Sequence, residues 1–123
     1  MFTTHTDGGF RVVAPGIHLK TLCFGDATLM TEFRLEGGAI LPSHAHAHEQ
    51  TGYLVAGHIG LTIGGVLYDV GPGDSWCIRG GVEHGAEILV DSVAVEVFSP
   101  VREDYLPGGA PDDPALAGTE PES

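Results

Sequence analysis

With 123 residues, the chain is long enough for one domain built around one hydrophobic core. Its formal net charge of −12 and its five scattered lysines and arginines argue against a nucleic-acid partner, because nucleic acids are bound by clustered positive charge. No run of about 18 apolar residues is present, and residues 1–5 lack the basic start and apolar centre of a signal peptide, so we expect a cytoplasmic protein without a membrane partner.

Short runs rich in β-branched, aromatic and aliphatic residues recur along the chain and indicate strands. They cover residues 10–13, 17–24, 27–35, 52–55, 59–63, 66–70, 75–78, 87–90 and 93–98. Glycine-containing turns separate several of them, at 37–38, 64–65, 71–74 and 80–81. Regular short strands without helical periodicity predict an all-β fold, here a small jelly-roll barrel. The edge strands of so small a barrel need covering, so we expect a homodimer.

The composition changes near the end of the chain. We assign residues 1–106 to a single domain and residues 107–123 to a tail that is acidic and rich in proline and glycine. The tail has almost no large apolar side chains and cannot bury enough apolar surface to fold. We therefore expect it to be disordered.

Three histidines and a glutamine form the strongest candidate for a functional site: His44, His46, Gln50 and His84. Successive side chains of a strand alternate between its faces, so His44 and His46 can point the same way and chelate one ion. Gln50 can offer an amide oxygen after a turn, and His84 a third nitrogen if its strand lies alongside. Such a set leaves positions open for water or substrate, as in catalytic sites. It accepts nickel, zinc, manganese, iron or copper, so we expect one divalent ion of undetermined identity.

The last predicted strand contains one charged residue in an otherwise apolar alternation. Glu96 and Phe98 share one of its faces. If that face lines a cavity, Glu96 is a candidate general acid or base; the alternative is a glutamate turned to solvent. Arg102 follows this strand, and its guanidinium either clamps a substrate carboxylate or pairs with Glu103 or Asp104.

The segment from Gly38 to Gly57, which contains the His-x-His pair and Gln50, and the later Pro-Gly-Asp with His84 resemble the two-part signature of the cupin superfamily. The resemblance covers about residues 30–102 and implies a cupin-type jelly roll with a bound metal. The commonest cupin ligand set has a glutamate where this chain has Gln50. A neutral amide leaves a bound metal more positive and thus a stronger Lewis acid. The family pattern places His48 in a turn, where we expect it to support a ligand rather than to coordinate.

Together with Glu96, Phe98 and Arg102, these motifs resemble the KdgF-like branch of small cupins, which is associated with pectin degradation. In that branch three histidines and a glutamine hold the metal, and an acidic residue, a phenylalanine and an arginine at these spacings line the pocket. The resemblance implies that Glu96 and Arg102 are catalytic and that Phe98 and Arg102 contact the substrate. We add Tyr53, in the same segment as Gln50, as a further candidate substrate contact. Two departures are a glutamate where the branch has aspartate, and a Gln50 one residue closer to the His-x-His pair.

Three hypotheses for function follow. The first is a metal-dependent enzyme that acts on a small oxygenated carboxylate; by resemblance, it opens the ring of 4,5-unsaturated uronates to the keto form. In it the metal polarises a substrate oxygen, Arg102 binds the carboxylate and Glu96 moves a proton. The second is an oxygenase or polyketide-type cyclase, because three histidines also suit ferrous iron and dioxygen. The third is a non-catalytic, metal-dependent binder of a sugar or acid.

Overall fold

The computed structural model describes residues 1–107, which form eight strands and one short 3-10 helix. The strands are β1 (Arg11–Ala14), β2 (Ile17–Phe24), β3 (Leu29–Leu35), β4 (Ile40–His44), β5 (Glu49–Ile63), β6 (Val66–Val70), β7 (Ser75–Ile78) and β8 (His84–Ser99). The 3-10 helix spans Glu103–Tyr105. Among the residues described, no helix is long and apolar enough to cross a membrane. The predicted tail, apart from Pro107, lies outside the described residues.

All strand pairs are antiparallel and belong to one sheet. The order is β1-β2-β3-β8-β5-β6, with β4 added on β8 and β7 on β5. The predicted all-β fold is therefore confirmed. Because β5 and β8 lie in the middle of this order and carry the extra strands, their course decides the shape of the interior.

The long strands β5 and β8 pair from one end to the other and bend together. The register shifts three times on β5 between Leu54 and Ile59. Gly57, inside this stretch, has a φ of 102°, which glycine adopts at little cost. A side chain at this position would overlap Ser92 on β8. The irregular stretch is therefore where the paired strands change direction.

The bend brings the two ends of β8 to the same interior. The ring centroid of His46 lies 5.0 Å from that of His84, the first residue of β8, and 6.2 Å from that of Phe98, near its end. A straight strand of this length would hold those two residues roughly 45 Å apart, at about 3.3 Å per residue. A single strand thus supplies side chains to one cavity from both of its ends.

The core is formed by alternate residues of the bent strands. On β5 the inward residues are even-numbered up to Leu54 and odd-numbered from Ile59 onward, and the change coincides with the register shifts. Ile88 and Ala94 on β8 pack against them. Full burial of a leucine or isoleucine side chain stabilises a fold by roughly 1.5–3 kcal/mol. This apolar layer therefore holds together the two halves of the bent β5–β8 pair.

The predicted strand boundaries differ from the observed ones in two ways. Residues 52–55 and 59–63 belong to the single strand β5, and 87–90 and 93–98 to the single strand β8. Glycine and polar residues interrupt the apolar pattern there, but backbone pairing continues through the irregular stretch. The strand β4 was not predicted, because Pro42 and Ser43 interrupt its apolar run; proline is tolerated in such a strand when its missing N–H is not needed for pairing.

The segment after β8 is fastened to the first two strands. Arg11 on β1 donates from Nη2 to the carbonyl oxygen of Asp104 at 2.6 Å. The hydroxyl of Thr21 on β2 donates to the carbonyl oxygen of Tyr105. These contacts fix the backbone just beyond Arg102, so the arginine keeps a defined position relative to the barrel.

Candidate metal centre and the surrounding cavity

Three of the predicted ligands meet in the interior of the barrel. His44, His46 and His84 each offer a nitrogen, and these atoms lie within 4.8 Å of one another. His44 ends β4 directly opposite His84, which begins β8. His46 lies beyond the end of β4, in the connection to β5, so the expectation that strand alternation aligns it with His44 is wrong. Its ring is oriented by a hydrogen bond instead.

The three imidazoles share one mode of orientation. In each, Nδ1 lies within hydrogen-bonding distance of a carbonyl oxygen two residues away along the chain. The acceptors are the carbonyl oxygens of Pro42 for His44 (3.0 Å), His48 for His46 (3.1 Å) and Val82 for His84 (2.9 Å). Because a carbonyl only accepts, Nδ1 must hold the proton, and Nε2 presents its lone pair. His48 thus supports a ligand through its main chain.

Burial keeps these rings neutral. It lowers the pKa of His44, lowers that of His46 to about 3, and lowers that of His84 to about 4. The positive charge of Arg102 acts in the same direction on all three. A metal binds the neutral imidazole, so the ligands need not lose protons near neutral pH.

Gln50 adds an oxygen to the same cavity. Its side chain is buried, and its amide Nε2 donates to Oε1 of Glu96. Its amide oxygen and Nε2 of His46 are buried acceptors that have no hydrogen-bond partner among the described residues. Leaving such atoms unpaired is costly, and a cation satisfies both. The donor set therefore fits a divalent metal bound by the three histidines and the oxygen of Gln50.

Glu96 faces the interior rather than solvent. It lies on β8 opposite Gly52 of β5, on the face that also carries Ala94 and Phe98, and it lines the cavity. Burial raises the pKa of Glu96 to about 7, although the hydrogen bond from Gln50 opposes the shift. A carboxyl group with a pKa near neutrality can both accept and return a proton.

Arg102 combines the two alternatives that the sequence left open. It forms a two-point ion pair with Asp104, with Nε to Oδ1 at 3.2 Å and Nη2 to Oδ2 at 2.9 Å. It is nevertheless 7% exposed and lines the cavity. Its guanidinium carbon lies 4.0 Å from the ring centroid of Tyr105 and 5.4 Å from that of Phe98. The ion pair and the two rings hold the guanidinium in place at the cavity wall.

Most of the remaining cavity wall is apolar. Aliphatic side chains from all the strands except β6 line it, with Phe98 among the aromatic ones. Tyr53 does not belong to it: the side chain is 50% exposed and lies on the face of β5 opposite to Gln50. The proposed contact between Tyr53 and substrate is therefore not supported, because Tyr53 differs from the inward-facing residues by an odd number of positions.

Trp76 and Tyr105 line the cavity but were not among the predicted site residues. Trp76 on β7 lies opposite Gly52, which is itself opposite Glu96. The indole Nε1 is close enough to favour the ionised form of Glu96, yet no hydrogen bond to Nε1 is found within residues 1–107. Burial raises the pKa of Tyr105 to about 12, so its phenol is neutral. Tyr105 could have been suspected from its nearness in sequence to Arg102, whereas the placement of Trp76 depends on pairing between β5 and β7.

Replacing Gly52 by alanine should displace the indole of Trp76. A Cβ at Gly52 would overlap Cε2, Cζ2 and Nε1 of the indole, so the ring or the strand must move. We expect a loss of about 1–3 kcal/mol in the free energy of unfolding and a changed fluorescence from Trp76, the single tryptophan of the chain. Gly60→Ala on the same strand is the matched control, since its Cβ would meet Leu67 at an ordinary 3.5 Å. Equal stability and emission for the two variants in urea titrations would contradict this packing.

Comparisons with known proteins agree with the fold. Residues 31–99 match the family model described as Cupin domain. The structure of KdgF from Halomonas sp. is similar, with 30% identity, a TM-score of 0.81 and coverage of 86% of this chain and 98% of that one. An RmlC-like cupin from Shewanella frigidimarina has 28% identity, a TM-score of 0.81 and coverage of 85% and 95%. A search of curated proteins finds no match.

A third similar structure is a Bacillus subtilis oxalate decarboxylase with Mn(II) centers. It has 25% identity and a TM-score of 0.67, over 76% of this chain and 28% of that one. The family model covers more than half of the chain, and the alignments with the KdgF and RmlC-like structures cover almost all of those two proteins. The chain therefore belongs to the cupin family, among its small, KdgF-like members.

Proposed function

We propose that this cupin is a metal-dependent enzyme that isomerises a small oxygenated carboxylate, a 4,5-unsaturated uronate, from its ring form to the open keto form. The observation that carries the proposal is the meeting of three kinds of group in one cavity. These are the three histidine nitrogens with Gln50, the carboxyl group of Glu96 and the guanidinium of Arg102. The choice of a uronate rests on the resemblance of this set to the KdgF-like branch.

Arg102 binds the substrate carboxylate. Among the described residues that line the cavity, it is the one lysine or arginine. The protein as a whole is strongly acidic, so an anionic substrate needs a local positive charge. The planar guanidinium matches a carboxylate in shape and in hydrogen-bond geometry. Phe98, under the guanidinium, offers a flat apolar surface to the sugar ring.

Glu96 transfers the proton that the reaction moves. The anomeric hydroxyl loses its proton and the bond between the anomeric carbon and the ring oxygen breaks. The ring oxygen takes up a proton, so that an aldehyde and an enol form. The enol then loses its O–H proton and gains one on the adjacent vinyl carbon to give the ketone. No atoms are gained or lost and no oxidant is needed. A carboxyl group with a pKa near 7 is suited to take up one proton and deliver the other.

A divalent metal bound by the histidines and Gln50 would supply Lewis acidity toward a substrate oxygen. The rest of the site controls water. Aliphatic residues on the cavity wall keep the polar groups in a low-dielectric setting, where their charges act more strongly on the substrate.

The test is the ultraviolet absorbance of a purified 4,5-unsaturated galacturonate, whose conjugated double bond disappears on conversion to the ketone. We expect the metal-loaded protein to accelerate this loss by at least an order of magnitude over the spontaneous rate, and protein treated with a chelator to lose that acceleration. Elemental analysis of the same sample gives the metal content. An absorbance decay equal to that in buffer, with metal present, would refute the proposed substrate.

The two other hypotheses predict different results in this assay. A non-catalytic binder would bind the uronate without loss of absorbance, as measured by calorimetry. An oxygenase would consume dioxygen, which an oxygen electrode records and which the proposed isomerisation does not require. Binding without turnover would favour the non-catalytic binder, and consumption of dioxygen would favour the oxygenase.

A further inference from the structure

The amide of Gln50 has one orientation fixed by its neighbours. An amide group carries two donor hydrogens on its nitrogen and an acceptor oxygen at the other position. The nitrogen of Gln50 donates to Oε1 of Glu96, while the oxygen is buried and has no hydrogen-bond partner among residues 1–107. Because Oε1 of Glu96 accepts this hydrogen bond, rotating the amide by half a turn would place the amide oxygen against Oε1 in a buried setting. Glu96 therefore decides which end of the amide faces the cavity.

The geometry of the sheet makes this pairing specific. Gln50 and Glu96 lie on the inner faces of neighbouring strands, with Gln50 opposite Phe98 and Glu96 opposite Gly52. They are thus diagonal neighbours, a separation that long side chains can bridge. Gly52 leaves the room between them and Trp76, whose indole packs over it. The carboxyl group of Glu96 is thus close to both the amide of Gln50 and the indole of Trp76.

Only one amide orientation is useful to a metal. The oxygen has lone pairs for a cation, whereas the amide nitrogen presents hydrogens. With the nitrogen held by Glu96, the buried oxygen remains for the ion that the three histidines would bind. If the acceptor at Glu96 is removed, both orientations become available and the amide loses its preorganisation. Groups that hold a metal ligand in place typically contribute about 10- to 100-fold in metal affinity.

We propose that Glu96 is a positioning residue of the metal centre, because it fixes the Gln50 amide with its oxygen toward the three histidines. This role is additional to proton transfer and rests on the metal site of the proposed function. It couples the two parts of the cavity: the residue that moves the proton also sets the affinity for the ion. The consequence is a metal-binding defect in the absence of any substrate.

The experiment measures the dissociation constant for Ni²⁺ by calorimetry on the metal-stripped full chain. Glu96→Met keeps the length of the side chain without an acceptor, and we expect it to weaken binding by about 10- to 100-fold. Glu49→Met is the matched control, since Glu49 precedes Gln50 but is exposed on the other face of β5. Its affinity should equal that of the unaltered protein. Circular dichroism and urea unfolding confirm in each variant that the fold is retained, and Glu96→Ala provides a second variant if it is not.

A double-mutant cycle separates positioning from direct attraction between the carboxylate and the ion. Gln50→Ala should weaken binding by itself, and adding Glu96→Met should cause no further loss, because no amide remains to be positioned. An undiminished effect of Glu96→Met in the Gln50→Ala background would overturn the inference, as would an unchanged affinity in the single variant. If the unaltered chain bound no Ni²⁺, the metal site of the proposed function would itself fail, which is a distinct result.

Discussion

Replacing His84 by alanine should weaken the binding of a divalent metal by more than about 100-fold and abolish activity. Loss of a group that only supports a ligand costs roughly 10- to 100-fold, and a ligand contributes more. His84 is 3% exposed, and its Nε2 faces the other two histidines because its Nδ1 is bonded to the carbonyl oxygen of Val82. Within residues 1–107 the cluster contains His44, His46 and His84 but not His48, so His48 is not placed to replace the lost ligand.

The loss should also appear in thermal stability. A ligand at about 100 times its dissociation constant stabilises the folded state by about 2.7 kcal/mol, which in a domain of this size raises Tm by on the order of 10 °C. We expect Ni²⁺ to raise the Tm of the unaltered protein in this way and to leave that of His84→Ala almost unchanged. His58→Ala is the matched control: His58 is a partly exposed histidine that pairs with Asp69, away from the three-histidine cluster. A metal-dependent shift in His84→Ala as large as in His58→Ala would rule out the three-histidine centre.

The alternation of apolar and polar residues within single strands was sufficient to predict much of the fold. Alternating apolar runs predicted strands at the correct places in β1, β2, β3, β6 and β7, with small differences at their ends. The same alternation placed Glu96 and Phe98 on one face, and the structure puts both in the cavity. Strand positions and shared faces depend on residues that are close together in the sequence, so they can be predicted from the sequence alone.

Features that depend on pairing between distant strands could not be predicted in this way. The bend of β5 and β8 results from register shifts near Gly57, and those are set by which residues of β8 lie opposite. Without the bend, His84 and Phe98 would lie at opposite ends of one strand. The same limit applies to Trp76, which reaches Glu96 only because β7 pairs with β5 across Gly52.

The placement of Tyr53 shows a different limit. Gln50, Gly52 and Leu54 are the inward residues of this part of β5, so Tyr53 must face outward. Tyr53 follows Gln50 by three positions, an odd number, so the two side chains lie on opposite faces of one strand. This excludes Tyr53 from the cavity once β5 is known to begin at Glu49. The apolar run that indicated this strand began only at residue 52, so Gln50 and Tyr53 were not recognised as members of one strand.

Replacing Arg102 by alanine should lower kcat/KM for an unsaturated uronate by about 30- to 3,000-fold without weakening the binding of metal. Removing one partner of a buried, hydrogen-bonded charge pair costs about 2–5 kcal/mol, and each 1.4 kcal/mol is a factor of ten. Arg102→Lys should also lose most of the activity, because an ammonium group cannot reproduce the planar two-point contact. Arg34→Ala is the control, since Arg34 pairs with Glu32 on the surface.

A change of substrate separates carboxylate binding from a structural role of Arg102. The arginine also pairs with Asp104 and packs on Tyr105 and Phe98, so its removal disturbs the end of the domain as well. A structural defect would slow every substrate equally. The neutral methyl ester of the uronate lacks the charge that Arg102 binds, so the unaltered enzyme and Arg102→Ala should convert the ester at similar, low rates. An equal fold-loss on the acid and on the ester would mean that Arg102 holds the cavity together and that another group binds the carboxylate.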